Sequence, residues 1–179
     1  MNQTEKTKWV IDPAHSEINF KVKHLVISSV TGGFDKFDAT VVTNGEDFND
    51  AEIQFTADVN SINTNQPDRD NHLKSPDFFD AANYPELTFV SKNLRKKGEN
   101  DFVLTGDLTI RGTTKTVELE GEFGGIVKDP YGNIKAGFEL IGKINRKEFG
   151  LQWNALTEAG GMVVSDEIKL LMNVELAKN

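Results

Sequence analysis

The sequence predicts an all-β protein, either an up-and-down β-barrel or a β-sandwich, with the barrel as the working picture. Three observations lead there. Apolar and polar residues alternate with period two through most of the chain, the pattern of half-buried strands. The alternating runs recur at fairly even spacing, with Gly, Pro, Asn and Asp between them, as short antiparallel strands joined by turns require. The alternation stops for long only over residues 65–85, NQPDRDNHLKSPDFFDAANYP. An excursion of that length in a compact domain tends to be functional, and two adjacent phenylalanines argue against disorder.

Taken in order, residues 9–12 open the fold and Asp12-Pro13 marks a turn. Residues 15–24 then place Ser16, Ile18, Phe20, Val22 and His24 on one face, against Glu17, Asn19, Lys21 and Lys23. Residues 25–30 break the period, with helical character at 25–29, and Gly32-Gly33 allows a tight bend. Residues 34–43 form a strand carrying Phe37, Ala39 and Val41 inward. Asn44-Gly45 signals a hairpin turn, lengthened by 46–50. Residues 51–59 alternate most cleanly, with Ala51, Ile53, Phe55, Ala57 and Val59 inward. In the excursion, Pro67 and Pro76 bracket two helical turns over 68–75, because proline suits a helix start and stops what precedes it.

Residues 87–94, 102–111 and 115–123 continue as strands, with Phe89, Leu108 and Val117 among their inward positions. Asp129-Pro130-Tyr131-Gly132-Asn133 is a turn cluster. Residues 134–145 follow with Ala136, Phe138 and Leu140 inward; 146–161 is irregular and glycine-bearing. Residues 167–176 close the fold with Ile168, Leu170 and Met172 inward. Eight or nine strands result, in one domain spanning residues 1–179 with its core in 9–176. Small residues at inward positions (Ala39, Ala51, Ala57, Gly106, Gly121 and Ala136) leave room along an eight-stranded axis. Pattern alone leaves a filled core and an open cavity equally open.

The formal net charge is −8, with 28 acidic and 20 basic residues, which disfavours nucleic acid and anionic membrane surfaces as partners. No cysteine is present, which excludes disulfides, thiolate metal sites and cysteine nucleophiles. No run of roughly 18 apolar residues occurs, so stable membrane insertion is not expected. The opening MNQTEKTKW lacks a signal peptide's apolar region. The expected compartment is the cytoplasm for the sequence as it stands, and the periplasm for a trimmed mature form. Phenylalanine outnumbers tyrosine and tryptophan, 12 to 2 and 2, which fits a dry core or an apolar cavity.

Known hydrolase, zincin, P-loop and dinucleotide-binding motifs are absent,. The Arg69, Asp70 and His72 group, beside Asp68, is the single plausible acid–base cluster. Its more economical reading is a capping and ion-pair network that fixes the excursion. Asp68-x-Asp70-Asn71 lacks the glycine and distal glutamate of a calcium loop, so no metal site is expected. Arg69, Lys74, Arg111 and Arg146 are isolated cations, each readable as a partner for a phosphate head group at a barrel mouth or as a surface ion pair; position on the excursion singles out Arg69 and Lys74.

Several short motifs, in order, resemble the YceI-like family of bacterial lipid-binding proteins. They are Trp9-x-Ile11-Asp12-x-x-His15-Ser16, Phe20-x-Val22-x-His24, Gly33-Phe34, Arg69-Asp70-x-His72-Leu73, Phe78-Phe79-Asp80, Tyr84-Pro85 with Phe89, Gly106-x-Leu108-Thr109-Ile110-x-Gly112 and Arg146-x-x-Phe149-Gly150. The resemblance implies an eight-stranded antiparallel lipocalin-like barrel whose apolar pore carries or sequesters an isoprenoid lipid: a polyprenyl chain, an isoprenoid quinone or, in some members, a fatty-acid derivative. It implies no catalytic residues and no required cofactor, and leaves room for a homodimer. The expected ligand-binding residues are Phe20, Val22, Phe37, Val41, Ile53, Phe55, Phe89, Leu108, Phe138, Ile168, Leu170 and Met172 on strands, with Leu73, Phe78 and Phe79 at the mouth. The alternatives are an enzyme or stress-linked protein acting on or protecting such a lipid, and a filled structural barrel.

Overall fold

The computed structural model describes residues 5–154 and 164–179. Eleven strands and one α-helix follow in chain order: β1 (Lys6–Ile11), β2 (Glu17–His24), β3 (Ser28–Phe34), β4 (Phe37–Asn44), β5 (Asp47–Asp58), β6 (Ile62–Asn63), α1 (Pro67–Lys74), β7 (Glu86–Lys96), β8 (Asp101–Ile110), β9 (Thr113–Lys128), β10 (Ile134–Asn145) and β11 (Val164–Lys178). All pairings are antiparallel. Eight strands, β1, β4, β5 and β7 to β11, form a ring closed where β1 pairs β11 at Trp9↔Lys178. The expected eight-stranded antiparallel barrel is therefore present, and closure leaves its ring without free edges.

The remaining strands prolong the wall. β2 continues β1 after a 3-10 turn at Pro13–His15 and pairs the earlier part of β11. β3 pairs β2 and precedes β4, and the two-residue β6 pairs β3. Alternating strand direction puts the β2–β3 tip, the β8–β9 turn and the start of β11 at one end, which we term the mouth. Helix α1 and the residues after it lie where β6 stops short, packing on β6.

Three differences from the sequence expectation have local causes. Residues 25–29 hold no helix; 25–27 are the tip of the β2–β3 hairpin, and β3 is a full strand that the broken period hid. β5 begins at Asp47, so Phe48 belongs to a strand rather than to the connection over 46–50. Asp50, at φ 59°, shifts the alternation and turns Phe48 inward, as a bulge does. β9 runs to Lys128 because a register shift beside Gly125, at φ 116°, lets pairing resume beyond Phe123. The expected irregular stretch at 146–161 holds a 3-10 turn at Arg146–Phe149, and its part from 155 onward lies outside the described residues.

At the end opposite the mouth, fully buried Trp9 donates from Nε1 to Thr43 Oγ1 at 2.9 Å. Phe48 packs on it at 5.0 Å between ring centroids and meets Phe138 at 4.9 Å. This aromatic stack floors the barrel.

Candidate functional site

A cavity of about 230 Å³ runs inside the barrel between the aromatic floor and the mouth. Among its described lining residues only Asn19 and Arg146 are not apolar. A lumen this dry attracts a hydrocarbon and repels ions, since an unpaired charge moved there would lose its hydration.

Of the fifteen side chains expected to meet a ligand, the structure places fourteen on this lining: Phe20, Val22, Val41, Ile53, Phe55, Leu73, Phe78, Phe79, Phe89, Leu108, Phe138, Ile168, Leu170 and Met172. Phe37 is the exception. It shares the inner face of β4 with Ala39 and Val41, but as the first residue of that strand it sits beyond the cavity and stacks on Phe55 at 6.4 Å. Lining residues that pattern reasoning passed over include Phe48, hidden by the Asp50 irregularity, and Phe149 and Leu151, which follow β10 in a stretch without strand period. Phe102 and Leu104 line the cavity as well, on the inner face that Leu108 marks on β8.

The glycines do not simply leave space. A Cβ on Gly121 would lie 2.1 Å from Cζ of Phe102, which is directly opposite on β8, and one on Gly106 would lie 2.4 Å from Cζ of Phe89. A Cβ on Gly32 would likewise meet Cζ of Phe20 at 2.6 Å. The missing side chain lets each ring lie back against the wall of the neighbouring strand, a cross-strand aromatic–glycine pairing. The lumen stays open because these rings occupy the wall instead of the axis. Ala51, Ala57 and Ala136 are buried but do not border the cavity.

At the mouth, sequence and structure agree that α1 is brief and polar. Pro67 occupies its first turn, the Gln66 side chain caps Arg69 N, and Asp68 and Asp70 lie at the positive end of its dipole,. Of the three residues of the acid–base candidate, Arg69 and Asp70 meet on Thr64 while His72 turns elsewhere. Arg69 donates from Nε to Thr64 Oγ1 and from Nη2 to Thr64 O, both at 2.7 Å. Asp70 accepts from the Thr64 N–H and hydroxyl. His72 instead pairs through Nε2 with Asp77 at 2.8 Å and sets its ring edge against Phe78 and Trp153. Arg69 and Asp70 fasten the helix to the strand end, while His72 braces the turn that presents Phe78. Each of the three thus has a structural partner, with one described ion pair, His72–Asp77, among them.

Two further arginines anchor the mouth. Arg111, at φ 50°, donates to the carbonyls of Phe78 and Gly150 at 2.9 and 3.2 Å. Arg146 is 3% exposed and donates to Ser165 O, Leu151 O, Trp153 O and Val164 O at 2.6–3.2 Å, with Asp166 at 3.8 Å. It is no surface ion pair, contrary to expectation: burial lowers its pKa and Asp166 opposes that shift,. Four of the five N–H donors of its guanidinium thus tie the chain after β10 to the start of β11. Arg146 borders the lumen with most of its donors turned to backbone carbonyls.

A second charged knot lies at the break between β1 and β2. Asp12 accepts from Lys135 Nζ at 2.8 Å and approaches His15 Nδ1 at 2.9 Å, with Glu175 at 3.7 Å from the same histidine nitrogen. Asp12, His15 and Glu175 have the donor atoms of a metal site, but the Lys135 ammonium already supplies the cation. The hydrogen bond from Lys135, helped by His15, lowers the Asp12 pKa to about 2, and Asp12 raises that of His15.

A closed β-barrel with an apolar lumen suits the binding of an apolar molecule. Residues 9–176 match the YceI-like domain, and the chain belongs to that family. A UPF0312 protein of Staphylococcus aureus strain USA300 is 37% identical over 172 residues, covering 96% of this chain and 98% of that one. The Campylobacter jejuni YCEI protein superposes with a TM-score of 0.76 at 36% identity, covering 94% and 96% of the two chains. BcnA of Burkholderia cenocepacia superposes at 0.80 with 25% identity over 92% and 98%. A polyisoprenoid binding domain from Saccharophagus degradans shares the fold, with a TM-score of 0.70 at 17% identity over 96% and 98%. No described helix is long and apolar enough to cross a membrane.

Proposed function

We propose that the protein binds a single isoprenoid lipid, a polyprenyl chain or an isoprenoid quinone, with its hydrocarbon part laid along the barrel axis, and that it carries or sequesters that lipid without transforming it. The observation that carries this reading is the lumen of about 230 Å³ whose described lining is apolar except for Asn19 and Arg146. Burial of each ligand methylene is worth about 0.8 kcal/mol before ordering terms, so a long chain binds tightly with no charged anchor. The name of the S. degradans domain, which has the same fold, points to the same ligand class.

The engagement of Arg146 favours an uncharged head group. A free fatty acid would bring a carboxylate to a lumen whose one bordering cation has its donors engaged by four carbonyls and Asp166, whereas a quinone or an uncharged ester needs no counter-ion. The engagement of Arg69 and Asp70 by Thr64, with His72 apart on Asp77, supports a binding protein over a catalyst.

Mass spectrometry of the organic extract, run beside the native mass of the intact protein, tests the proposal. The expected result is one prenyl lipid per chain. A ligand-free mass that stays ligand-free after incubation with prenyl quinones and prenyl alcohols would overturn it.

A further inference from the structure

The tip of the β2–β3 hairpin combines features that burial and stability do not explain. Leu25, Val26 and Ile27 are 39%, 73% and 85% exposed, an unbroken apolar run in water. Leu25 and Val26 also hold φ of 55° and 65°, a left-handed conformation that β-branched residues strongly resist and for which Asn-Gly is the favoured pair. A sequence selected for hairpin stability alone would place polar turn residues here.

The flanks of the tip differ from the rest of this acidic chain. Residues 18–34 contain no Asp or Glu, although a stretch of that length would carry two or three at the chain's average content of 28 in 179. Lys21 and Lys23 point outward from β2, and Lys169 on β11 stands directly opposite Lys21, with Lys143 of β10 opposite Lys169. Like charges facing one another across a sheet are unfavourable. The nearby acids Glu167 and Asp166 are paired with Lys143 and Lys147 at 3.8 and 3.4 Å. No described ion pair engages Lys21, Lys23 or Lys169. The net charge of −8 is therefore unevenly spread, and this side of the mouth is basic.

We infer that the β2–β3 hairpin, with apolar Leu25, Val26 and Ile27 at its tip and Lys21, Lys23 and Lys169 beside it, docks the barrel mouth on an anionic lipid bilayer. An apolar wedge plus a basic flank is the pair of signals that together give reversible surface binding. The bilayer fits this patch better than a protein partner because the hairpin is also lumen wall. Phe20 and Val22, which alternate with the lysines on β2, border the cavity, so the element that would touch the membrane is continuous with the path of an apolar cargo. This inference rests on the lumen reading, because cargo insoluble in water must be collected from and returned to a bilayer.

The test is flotation of the full-length protein with vesicles of phosphatidylcholine, with and without phosphatidylglycerol, at low and high salt. The wild type is expected to bind the phosphatidylglycerol vesicles, weakly or not at all the neutral ones, and less at high salt. The variant L25N/V26G/I27S replaces the wedge by a favoured turn. It should melt at a higher temperature than wild type, lose vesicle binding and still take up a prenyl quinone from dilute detergent. The variant K21Q/K23Q/K169Q should bind about fivefold more weakly per lysine removed, from about 1 kcal/mol per surface charge. Vesicle binding retained by the hairpin variant overturns the inference. So does a wild type that ignores both vesicle types, including the case where the hairpin variant abolishes self-association, which would assign the patch to a second copy of the chain. A protein that binds vesicles but no prenyl quinone would refute the lumen reading and leave the docking face standing.

Discussion

If glycines keep the lumen open by letting aromatic rings lie against the wall, then one methyl group should narrow it. Gly121→Ala is the sharpest case. Its Cβ would stand 2.1 Å from Cζ of Phe102, against an ordinary contact of at least 3.4 Å, so the ring must retreat by 1.3 Å or more. The strand behind Gly121 blocks retreat into the wall, and the open direction is the lumen, where Phe102 already faces Phe138 edge-on at 5.9 Å. Overpacking of this kind destabilises by about 1–3 kcal/mol, leaving a folded protein. If the displaced ring excludes two methylenes of ligand, affinity falls by about 1.6 kcal/mol, about fifteenfold. The assay is equilibrium binding of a chain-length series of prenyl alcohols, with the loss largest for the longest chains. Adding Phe102→Leu removes the ring tip and should restore binding, giving a double-mutant cycle with clear coupling. A folded Gly121→Ala protein that binds the whole series as tightly as wild type would refute the reasoning.

Other perturbations probe the mouth and the knot. Arg146→Met strands the carbonyls of Leu151, Trp153, Val164 and Ser165 and should lower unfolding free energy by roughly 3–5 kcal/mol in denaturant titration; lysine should rescue little, lacking the planar fork. His72→Ala removes an exposed pair with Asp77 and should cost under about 1 kcal/mol, with prenyl-lipid retention by native mass unchanged; loss of retention would give His72 a role at the ligand. The knot sets a pH window. Asp12, lowered from 3.8 to about 2, contributes stability above its unfolded value that is lost as pH falls towards 2,. His15, raised above 6.5, contributes stability that is complete below 6.5 and lost as pH rises through its folded value,. Thermal midpoints should therefore be highest between about pH 4 and 6.5 on this account, and His15→Gln should flatten the alkaline side of the profile.

Much of the lumen was legible because strand parity survives wherever pairing is regular. β8, β10 and β11 keep one alternation over every inward residue that borders the cavity, so Leu108, Phe138 and Ile168 could be picked from pattern alone. Parity failed where the backbone departs from the pleat. Asp50 turns Phe48 to the inside although its neighbours in sequence read as a polar turn, and the left-handed pair at Leu25 and Val26 made a hairpin tip read as a helix. Phe37 failed for another reason: periodicity gives the face of a residue but not its height along the axis. The function of the glycines was also out of reach. A glycine read as empty space proves to be covered by a ring on the neighbouring strand, and that depends on register across the sheet.

The two ends of the molecule divide the work of recognition. Apolar burial grows with chain length and is indifferent to what the chain carries at its end, so a lumen with no free charge measures length. Discrimination among head groups must then fall to the mouth. There the polar contacts are already committed: Arg69 and Asp70 to Thr64, Arg111 to Phe78 and Gly150, Arg146 to the chain leading into β11. These bonds hold Phe78, Leu73 and Phe79 over the opening instead of meeting a ligand. On the proposed lipid-binding reading, these committed groups offer a charged head group little pairing at the lumen edge, and Lys21, Lys23 and Lys169, which no described ion pair engages, lie on the outer face of β2 and β11. If the protein binds a lipid as proposed, substituting these arginines should change which lipids enter before it changes how tightly a long chain is held.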